Sequence, residues 1–116
     1  MNISYNKNLL RIDGKSVSFP FDIYKVLVED DYIFVLLSIP RTKEYQDYTV
    51  NIYGLRQSEI IWQVEDPRIV YPGKIFTAFE NIYLMEGKLV GSDFYGLRCI
   101  INKKTGKIDG RLSSLR

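Results

Sequence analysis

The sequence predicts an all-β fold of about eight to ten short antiparallel strands arranged as hairpins, with little or no helix. Apolar residues recur mostly at every second position, or in short solid runs bounded by turn residues, and both patterns indicate strands. No segment keeps a helical apolar period over three turns. Aromatic residues, which favour half-buried sheet positions, are abundant, with nine Tyr, six Phe and one Trp.

Length and composition predict one domain over residues 1–116. A chain of 116 residues suits a single core that needs no disulfide or metal. Its one cysteine, Cys99, excludes an internal disulfide and favours a reducing compartment. Because the N-terminus has no apolar run of signal-peptide length, and the longest apolar run, Tyr32–Leu37, is too short to cross a bilayer, we expect a soluble cytoplasmic protein with no membrane contact.

The first half of the chain reads as a hairpin followed by two strands that a turn at Asp30-Asp31 joins. Residues 8–19 have Asp13-Gly14 at their centre, a strong two-residue turn signal because Gly tolerates positive φ. Residues 23–29 alternate, which places Ile23 and Leu27 on the same face. The run Tyr32–Leu37 is apolar on both faces, so it predicts a central strand that is covered on both sides.

The second half reads as further short strands separated by turns. Residues 39–48 are polar and contain Pro40, which predicts the longest exposed loop. Strands are predicted near residues 48–53 and 60–64, and a short strand or single helical turn near residues 75–79. A second hairpin has its turn at residues 86–88, residues 94–101 form a strand, and residues 107–112 close the sheet.

The tetrapeptide YGLR occurs at residues 53–56 and again at residues 95–98. One interpretation is a pair of equivalent binding loops. The favoured interpretation is a duplicated antiparallel unit in which Gly54 and Gly96 lie at bulges or close approaches of the backbone.

Two family resemblances follow from these stretches. Residues 81–108 resemble one blade of a quinoprotein-like β-propeller, because the run ends in INKKTGKI, and residues 58–66 resemble the neighbouring tryptophan-bearing strand. The chain is too short for the blades of a closed propeller, so this resemblance implies a blade-like sheet, a sandwich or a half-barrel. In size and solitary β architecture the chain also resembles small immunity proteins of bacterial toxin systems, which implies a toxin as its partner.

No catalytic or metal site is predicted. The absence of histidine excludes Ser-His-Asp, Cys-His and histidine-metal arrangements, and one cysteine cannot build a thiolate zinc site. There is no phosphate-binding loop or dinucleotide fingerprint, so no cofactor is expected. The acidic pairs Asp30-Asp31 and Glu65-Asp66 fall at predicted strand ends, where acids usually face water. We therefore expect a protein that is not an enzyme, with Cys99 as a small core residue.

Charge is distributed unevenly along the chain. Residues 22–66 contain four basic and nine acidic residues, whereas residues 67–116 contain nine basic and four acidic ones. Opposed charges of this kind can steer association with a charged partner. The alternative is that folding mixes the two segments in space.

The predicted function is that of an immunity-type protein, which binds a cognate bacterial toxin and covers its active surface. Toxins that cut nucleic acid have basic sites, which an acidic surface bearing tyrosine anchors would complement. The predicted partner-binding residues come from the acidic segment and its long loop: Asp30, Asp31, Glu44, Tyr45, Asp47, Tyr48, Glu65 and Asp66.

Two alternatives remain open at the level of the sequence. One is a small nucleic-acid-binding or ligand-binding β-barrel, in which C-terminal cations interleaved with aromatic residues hold a single strand. The cations concerned are Lys103, Lys104, Lys107, Arg111 and Arg116. The pI of about 8.6 and the lack of a nucleic-acid-binding motif make this hypothesis the weaker one. The other alternative is a structural module of a larger assembly.

Overall fold

The computed structural model describes residues 1–112 and confirms the all-β prediction. Helical structure in this range is limited to α1 (Pro67–Val70) and a 3-10 turn (Lys43–Tyr45). No helix in this range has the length and apolar character needed to cross a membrane. The eleven strands are β1 (Ile3–Asn6), β2 (Leu9–Ile12), β3 (Lys15–Ser18), β4 (Ile23–Glu29), β5 (Tyr32–Leu37), β6 (Ile52–Arg56), β7 (Glu59–Gln63), β8 (Phe79–Met85), β9 (Lys88–Asp93), β10 (Arg98–Ile101) and β11 (Ile108–Leu112).

The strands form three open antiparallel sheets, and within each sheet every strand pairs with its neighbour in the chain. We call them the N-terminal sheet (β1-β2-β3), the middle sheet (β4-β5-β6-β7) and the C-terminal sheet (β8-β9-β10-β11). The strands of residues 1–112 do not close into a barrel, so the barrel form of the alternative hypothesis is wrong.

The sheets stack as three layers, with the middle sheet covered on both faces. Phe34 and Leu36 of β5 belong to a core shared with the C-terminal sheet, whereas Ile33, Val35 and Leu37 belong to a core shared with the N-terminal sheet. These alternate residues are buried on both faces, which confirms the predicted role of β5 as a two-sided central strand.

Both predicted hairpin turns are present. Asp13 and Gly14 have φ values of 48° and 84°, and Glu86 and Gly87 have φ values of 50° and 77°. Two consecutive residues with positive φ match the twist of antiparallel strands, and glycine at the second position adopts this conformation without steric cost.

A bulge in β4 overturns the predicted alternation. Ile23 pairs with Leu37 and Lys25 pairs with Leu36, which leaves Tyr24 as an extra residue. Because one extra residue shifts the period, Ile23 contacts the core of the N-terminal sheet, whereas Leu27 packs against the core of the C-terminal sheet.

Four further elements differ from the prediction. The strand predicted near residues 48–53 begins only at Ile52 and extends to Arg56. The helical turn lies at Pro67–Val70, where Asp66 caps its first turn and Pro67 occupies the first position, and residues 74–78 have no regular structure. Residues 94–97 form a turn before β10. The strand β1 was not predicted, because its short segment is largely exposed and polar.

The two YGLR copies are not structurally equivalent. The first copy lies in β6, where Gly54 adjoins a bulge and approaches Trp62 so closely that a Cβ atom would lie 2.1 Å from the indole Cε2. This agrees with the predicted bulge and close approach. The second copy spans a turn and the first residue of β10, and Gly96 has a φ of 80°. The tetrapeptide therefore does not mark a repeated unit.

A different repeat relates the middle and C-terminal sheets. The hairpins β4–β5 and β8–β9 both have strands of seven and six residues, and each starts 56 positions from its counterpart, at Ile23 and Phe79. Both first strands carry a bulge after their first residue, at Tyr24 and Glu80. The difference lies in the next connection, which runs over residues 38–51 in the middle sheet but only over residues 94–97 in the C-terminal sheet.

Candidate functional site

The long connection of the middle sheet forms one wall of a cleft of about 610 Å³, which we call the loop cleft. This wall consists of residues 38–43 with Tyr45 and Gln46, and the opposite side consists of residues 77–80 and Phe94. The buried side chains of Leu36, Leu37 and Phe79 line its base. The prediction that residues 39–48 form a long exposed loop is confirmed.

The two equivalent bulges both contribute a side chain to the loop cleft. Bulges reorient side chains relative to a regular strand. Tyr24 is 62% exposed, and Glu80 is also exposed. The aromatic ring of Phe94, in the turn after β9, is 58% exposed on the same cleft. These exposed side chains had no signal in the sequence, because their positions depend on bulges and on the stacking of two sheets.

Arg41 links the loop to the C-terminal sheet across the cleft. Its Nη2 donates to Oε2 of Glu80 at 2.9 Å, and its guanidinium lies 5.5 Å from the centre of the Phe94 ring. The side chain of Arg41 is 74% exposed, so an ion pair of this type stabilises by about 1 kcal/mol at most. The contact therefore holds the loop only weakly against Glu80.

Asn51 fixes the base of the loop. Its amide Nδ2 donates to the carbonyl oxygens of Leu37 and Phe79, both at 2.8 Å, and its Oδ1 accepts from the Phe79 N–H at 2.8 Å. The residue is fully buried. It joins the middle and C-terminal sheets at the point where the loop cleft begins. A polar residue within an alternating strand pattern was the only signal of this role in the sequence.

The predicted loop tyrosines lie on the opposite side of the loop, toward the N-terminal sheet. The rings of Tyr45 and Tyr48 pack edge-on against Phe21, with centroid distances of 5.1 and 5.2 Å. Tyr45 also lines the cleft, and the charge of Glu44 raises the pKa of its hydroxyl. Glu44 and Asp47 themselves are exposed. The loop therefore brings together four of the predicted residues: Glu44, Tyr45, Asp47 and Tyr48.

The acids Glu65 and Asp66 lie near the loop but have internal partners. The carboxylate of Asp66 accepts from the Thr49 hydroxyl at 2.8 Å and pairs with Arg68 at 2.9 Å. Burial acts to raise the pKa of Asp66, but the hydrogen bonds from Arg68 and Thr49 outweigh it and lower that pKa. Glu65 accepts from the backbone N–H of Ile108 at 2.9 Å, which ties the segment after β7 to the start of β11.

The acids Asp30 and Asp31 lie at the opposite end of the β4–β5 hairpin. Asp31 pairs with Arg56 at 2.7 Å, and Asp30 lines a second cleft of about 570 Å³. Six residues of β5, at about 3.3 Å each, separate this turn from the loop, a distance of about 20 Å. The eight predicted residues therefore fall into two groups at opposite ends of the middle sheet.

The acidic and basic segments are mixed in space, as the alternative interpretation held. Lys103 pairs with Glu29, and its ammonium group also donates to the Gly87 carbonyl at 2.6 Å. Arg41 of the acidic segment pairs with Glu80 of the basic segment, 39 positions away. The end of the molecule that carries the loop nevertheless retains three exposed acids of the acidic segment, Asp22, Glu44 and Asp47.

The cations of the nucleic-acid hypothesis are divided between internal and exposed positions. Lys103 forms an ion pair with Glu29, and the Arg111 guanidinium lies 5.0 Å from the centre of the Tyr71 ring. Lys104, Lys107 and Arg111 are exposed, and Arg116 lies outside the described residues. The side chains that remain exposed are thus fewer than the sequence pattern suggested.

The reactive side chains show no assembled centre in the part of the chain that the structure describes. There, no three His, Cys, Asp or Glu residues come together as potential metal ligands. Cys99 is fully buried in the core between the middle and C-terminal sheets, which confirms its predicted position. Burial, with a smaller contribution from the charge of Asp93, raises the pKa of its thiol to about 11.

Comparison with known proteins gives a family and no function. The chain matches no curated protein sequence and no solved structure. One family model matches residues 1–111, which is almost the whole chain. The chain therefore belongs to the family described as Domain of unknown function (DUF7957).

Proposed function

We propose that the protein is a protein-binding module of the immunity type, which acts in the bacterial cytoplasm and neutralises a cognate toxin by covering its active surface. Its role is to bind and not to catalyse. The observation that carries this proposal is the loop cleft. It is built by a connection that the equivalent hairpin pair of the C-terminal sheet lacks, and exposed aromatic side chains line it.

The shape of the site favours an inserted side chain of the partner. Tyr24 and Phe94 are large, exposed and held on strand ends, and such aromatic residues are frequent anchors in protein interfaces. The apolar base offers a water-excluding surface for a long aliphatic or aromatic side chain. Arg41 and Glu80 form an ion pair with each other, so their charges cancel on the wall of the cleft nearest the C-terminal sheet.

The charge around the loop favours a basic partner. Asp22, whose carbonyl accepts from the Ser38 N–H, and the loop acids Glu44 and Asp47 are exposed near the cleft. The exposed cations beside them are Lys43 and Arg68, which interacts electrostatically with Asp47. Exposed charges of this kind mainly raise the association rate and are screened by salt. The acids Asp30 and Asp31 at the far end, and the internally bonded Glu65 and Asp66, are assigned no part in this contact.

The test is a kinetic binding experiment with the toxin encoded beside this protein. Phe94→Ala and Tyr24→Ala should each accelerate dissociation, because they remove anchors, and should weaken protection of cells that produce the toxin. The double change Glu44→Lys and Asp47→Lys should slow association and flatten its dependence on salt.

Tyr5→Ala is the matched control, because Tyr5 is a similarly exposed tyrosine, 46% accessible, in the N-terminal sheet. It should bind with the rates of the unchanged protein. Unchanged rates for all the cleft and loop variants would overturn the assignment of this surface. Failure of the unchanged protein to bind or to protect would overturn the immunity function itself.

The cleft volume favours a second candidate function, the binding of a small ligand. A volume of about 610 Å³ falls within the range of about 300–1,000 Å³ that is usual for small-molecule sites, and the cleft combines apolar and polar groups. A small ligand would protect Phe94 and Tyr24 from solvent without needing the exposed acids. Binding that is unaffected by the Glu44→Lys and Asp47→Lys changes would therefore favour this candidate.

A further inference from the structure

The rim of the loop cleft holds a guanidinium group between an acid and an aromatic ring. Nη2 of Arg41 donates to Oε2 of Glu80 at 2.9 Å, and the same guanidinium lies 5.5 Å from the centre of the Phe94 ring. A carboxylate beside an aromatic face suits arginine, because a guanidinium forms charge-assisted hydrogen bonds and stacks on rings. Glu80 and Phe94 therefore make a guanidinium site, which the chain itself fills with Arg41.

The chain contains the same three chemical groups a second time, as part of its sheet structure. Arg56 pairs with Asp31 at 2.7 Å and lies 5.6 Å from the centre of the Tyr32 ring. The register of β5 and β6 places Arg56 opposite Tyr32, so strand pairing holds this guanidinium in place. Arg41, by contrast, belongs to residues 38–41, which have no regular secondary structure, and it reaches across to another sheet. Arg41 can therefore leave its site without breaking a strand pair.

The contact that retains Arg41 is weak. The side chains of Arg41 and Glu80 are 74% and 40% exposed, and among the described atoms one hydrogen bond joins them. Exposed pairs of this kind contribute little stability and are screened by salt. An arginine brought by a bound partner would be shielded from water and could use both carboxylate oxygens. The apolar base of Leu36, Leu37 and Phe79 suits the aliphatic part of such a side chain.

We propose that Arg41 is a built-in competitor for the loop cleft, and that the partner inserts an arginine side chain that displaces Arg41 from Glu80 and Phe94. The proposal rests on the function proposed above and names the anchoring residue of the partner. Lysine fits less well, because its ammonium group is a compact, strongly hydrated charge without a planar face. A partner carboxylate would have to draw Arg41 away from Glu80, and it would meet the exposed loop acids Glu44 and Asp47.

The other charges near the site make the aromatic ring necessary. Lys43 lines the loop wall of the cleft, and Lys25 donates to Oδ1 of Asn81, the residue after Glu80, at 2.9 Å. Both lysines oppose an incoming cation, so the carboxylate of Glu80 alone would give little affinity. The Phe94 ring adds a contact that favours a guanidinium over an ammonium group.

Titration with capped single amino acids, in the absence of any toxin, tests the proposal. Nα-acetyl-arginine amide is added to the isotopically labelled full chain and followed by nuclear magnetic resonance. The signals observed are the amides of Glu80 and Phe94 and the side-chain carboxyl carbon of Glu80. The matched probes are the acetyl amides of lysine and of citrulline, an uncharged analogue of arginine. We expect clear shifts with arginine, smaller shifts with lysine and none with citrulline.

Variants of the site separate competition from ordinary binding. Arg41→Ala should tighten binding of the arginine probe by up to about fivefold, because the apparent affinity of a site falls with the fraction of molecules in which it is open. Arg41→Gln, which keeps a long side chain, should act in the same direction. Glu80→Gln combined with Arg41→Ala should abolish binding, and Phe94→Leu should reduce the preference for arginine over lysine.

Arg56→Ala is the matched control, because it vacates the equivalent acid and ring outside the loop cleft. It should leave the affinity at the loop cleft unchanged and should create no arginine site at Asp31. Equal probe shifts at Asp31 in this variant would show that any exposed acid beside a ring binds the probe, and would overturn the selectivity of the cleft. Thermal unfolding of every variant checks that the fold is intact.

Three further results would overturn the proposal. These are unchanged or weaker arginine binding in both Arg41 variants, equal shifts with citrulline and arginine, and stronger binding of Nα-acetyl-glutamate amide that disappears in Arg41→Ala. The last result would make Arg41 the anchor for an acidic partner. A toxin that binds at the loop cleft of a chain that ignores the arginine probe would overturn this inference alone. A chain that binds the probe as expected but binds no toxin would overturn the immunity function and leave the arginine site standing.

Discussion

Asn51 shows how much of the candidate site depends on a single polar residue. A buried amide is tolerated only when its groups are hydrogen-bonded, and Asn51 uses both its amide nitrogen and its oxygen on the backbone of Leu37 and Phe79. Removing it would leave buried backbone groups unsatisfied, at a cost of about 1–3 kcal/mol for each group. The loop cleft is thus held at its base by a strong contact and at its rim by the exposed Arg41–Glu80 pair.

Cys99 carries a prediction at the same scale. Its thiol is fully buried and has a pKa raised to about 11, so at pH 8 the thiolate that reacts with labelling reagents is scarce in the folded protein. We expect labelling to be slow at pH 8 and to accelerate as the pH rises toward 11. In denaturant the rate should be high and should level off above the ordinary thiol pKa of about 8.5. Equal rates with and without denaturant at pH 8 would show that Cys99 is accessible.

At the scale of elements, the sequence predicted strands and turns well and bulges poorly. The run Tyr32–Leu37 and the turns at Asp13-Gly14 and Glu86-Gly87 follow from local pattern and backbone chemistry, and all three are confirmed. The bulges at Tyr24 and Glu80 depend on pairing with a neighbouring strand, which local alternation does not encode. The loop cleft uses both bulged residues, so its composition could not be predicted from the strand pattern.

The repeat was also hidden from the sequence. The hairpins β4–β5 and β8–β9 share strand lengths and a bulge position, but their residues differ because one lies in the doubly covered middle sheet and the other in a terminal sheet. The visible tetrapeptide repeat, by contrast, falls in a strand once and in a turn once. The same four residues adopted different structures because their sheet partners differ.

The contact of β6 with β7 gives a prediction for this scale. Trp62 lies against Gly54 and Gly106, and its indole N–H donates to the Lys103 carbonyl at 2.8 Å. A methyl group at Gly54 would lie 2.1 Å from the indole, so Gly54→Ala must displace Trp62 or distort β6. Overpacking of a core typically costs about 1–3 kcal/mol, and we expect a loss of at least this size in urea unfolding, with altered tryptophan fluorescence.

Gly110→Ala is the matched control, since a Cβ atom there meets no other described atom within 4 Å and the φ of Gly110 is not positive. Its free energy of unfolding should change by no more than about 0.5 kcal/mol. Similar losses for both substitutions would mean that glycine is required in these strands for backbone reasons, and not because of Trp62.

At the scale of the whole molecule, the connections within the middle and C-terminal sheets divide into structural and exposed segments. Residues 102–107 link β10 to β11 and make internal contacts: Lys103 binds Glu29 and Gly87, and the Gly106 carbonyl accepts from the Glu65 N–H at 2.9 Å. Residues 40–47, by contrast, are almost entirely exposed. The same four-stranded arrangement forms in the C-terminal sheet with only residues 94–97 in the equivalent place. The fold itself therefore does not require the long loop.

Replacement of each connection by a short one separates these roles. A short glycine-containing turn in place of residues 40–47 keeps Asn51 and its hydrogen bonds, and the entropy of chain closure changes little with loop length. We expect this variant to retain the circular dichroism of the sheets and cooperative unfolding, with a modest loss of stability from the missing Phe21–Tyr45 contact, but to lose binding at the loop cleft.

A two-residue turn in place of residues 102–107, like residues 57–58 between β6 and β7, should instead lower the urea midpoint strongly, because it removes the partners of Glu29, Glu65 and Trp62. If the first variant unfolds and the second does not, the long loop is structural and the assignment of function to the loop cleft fails.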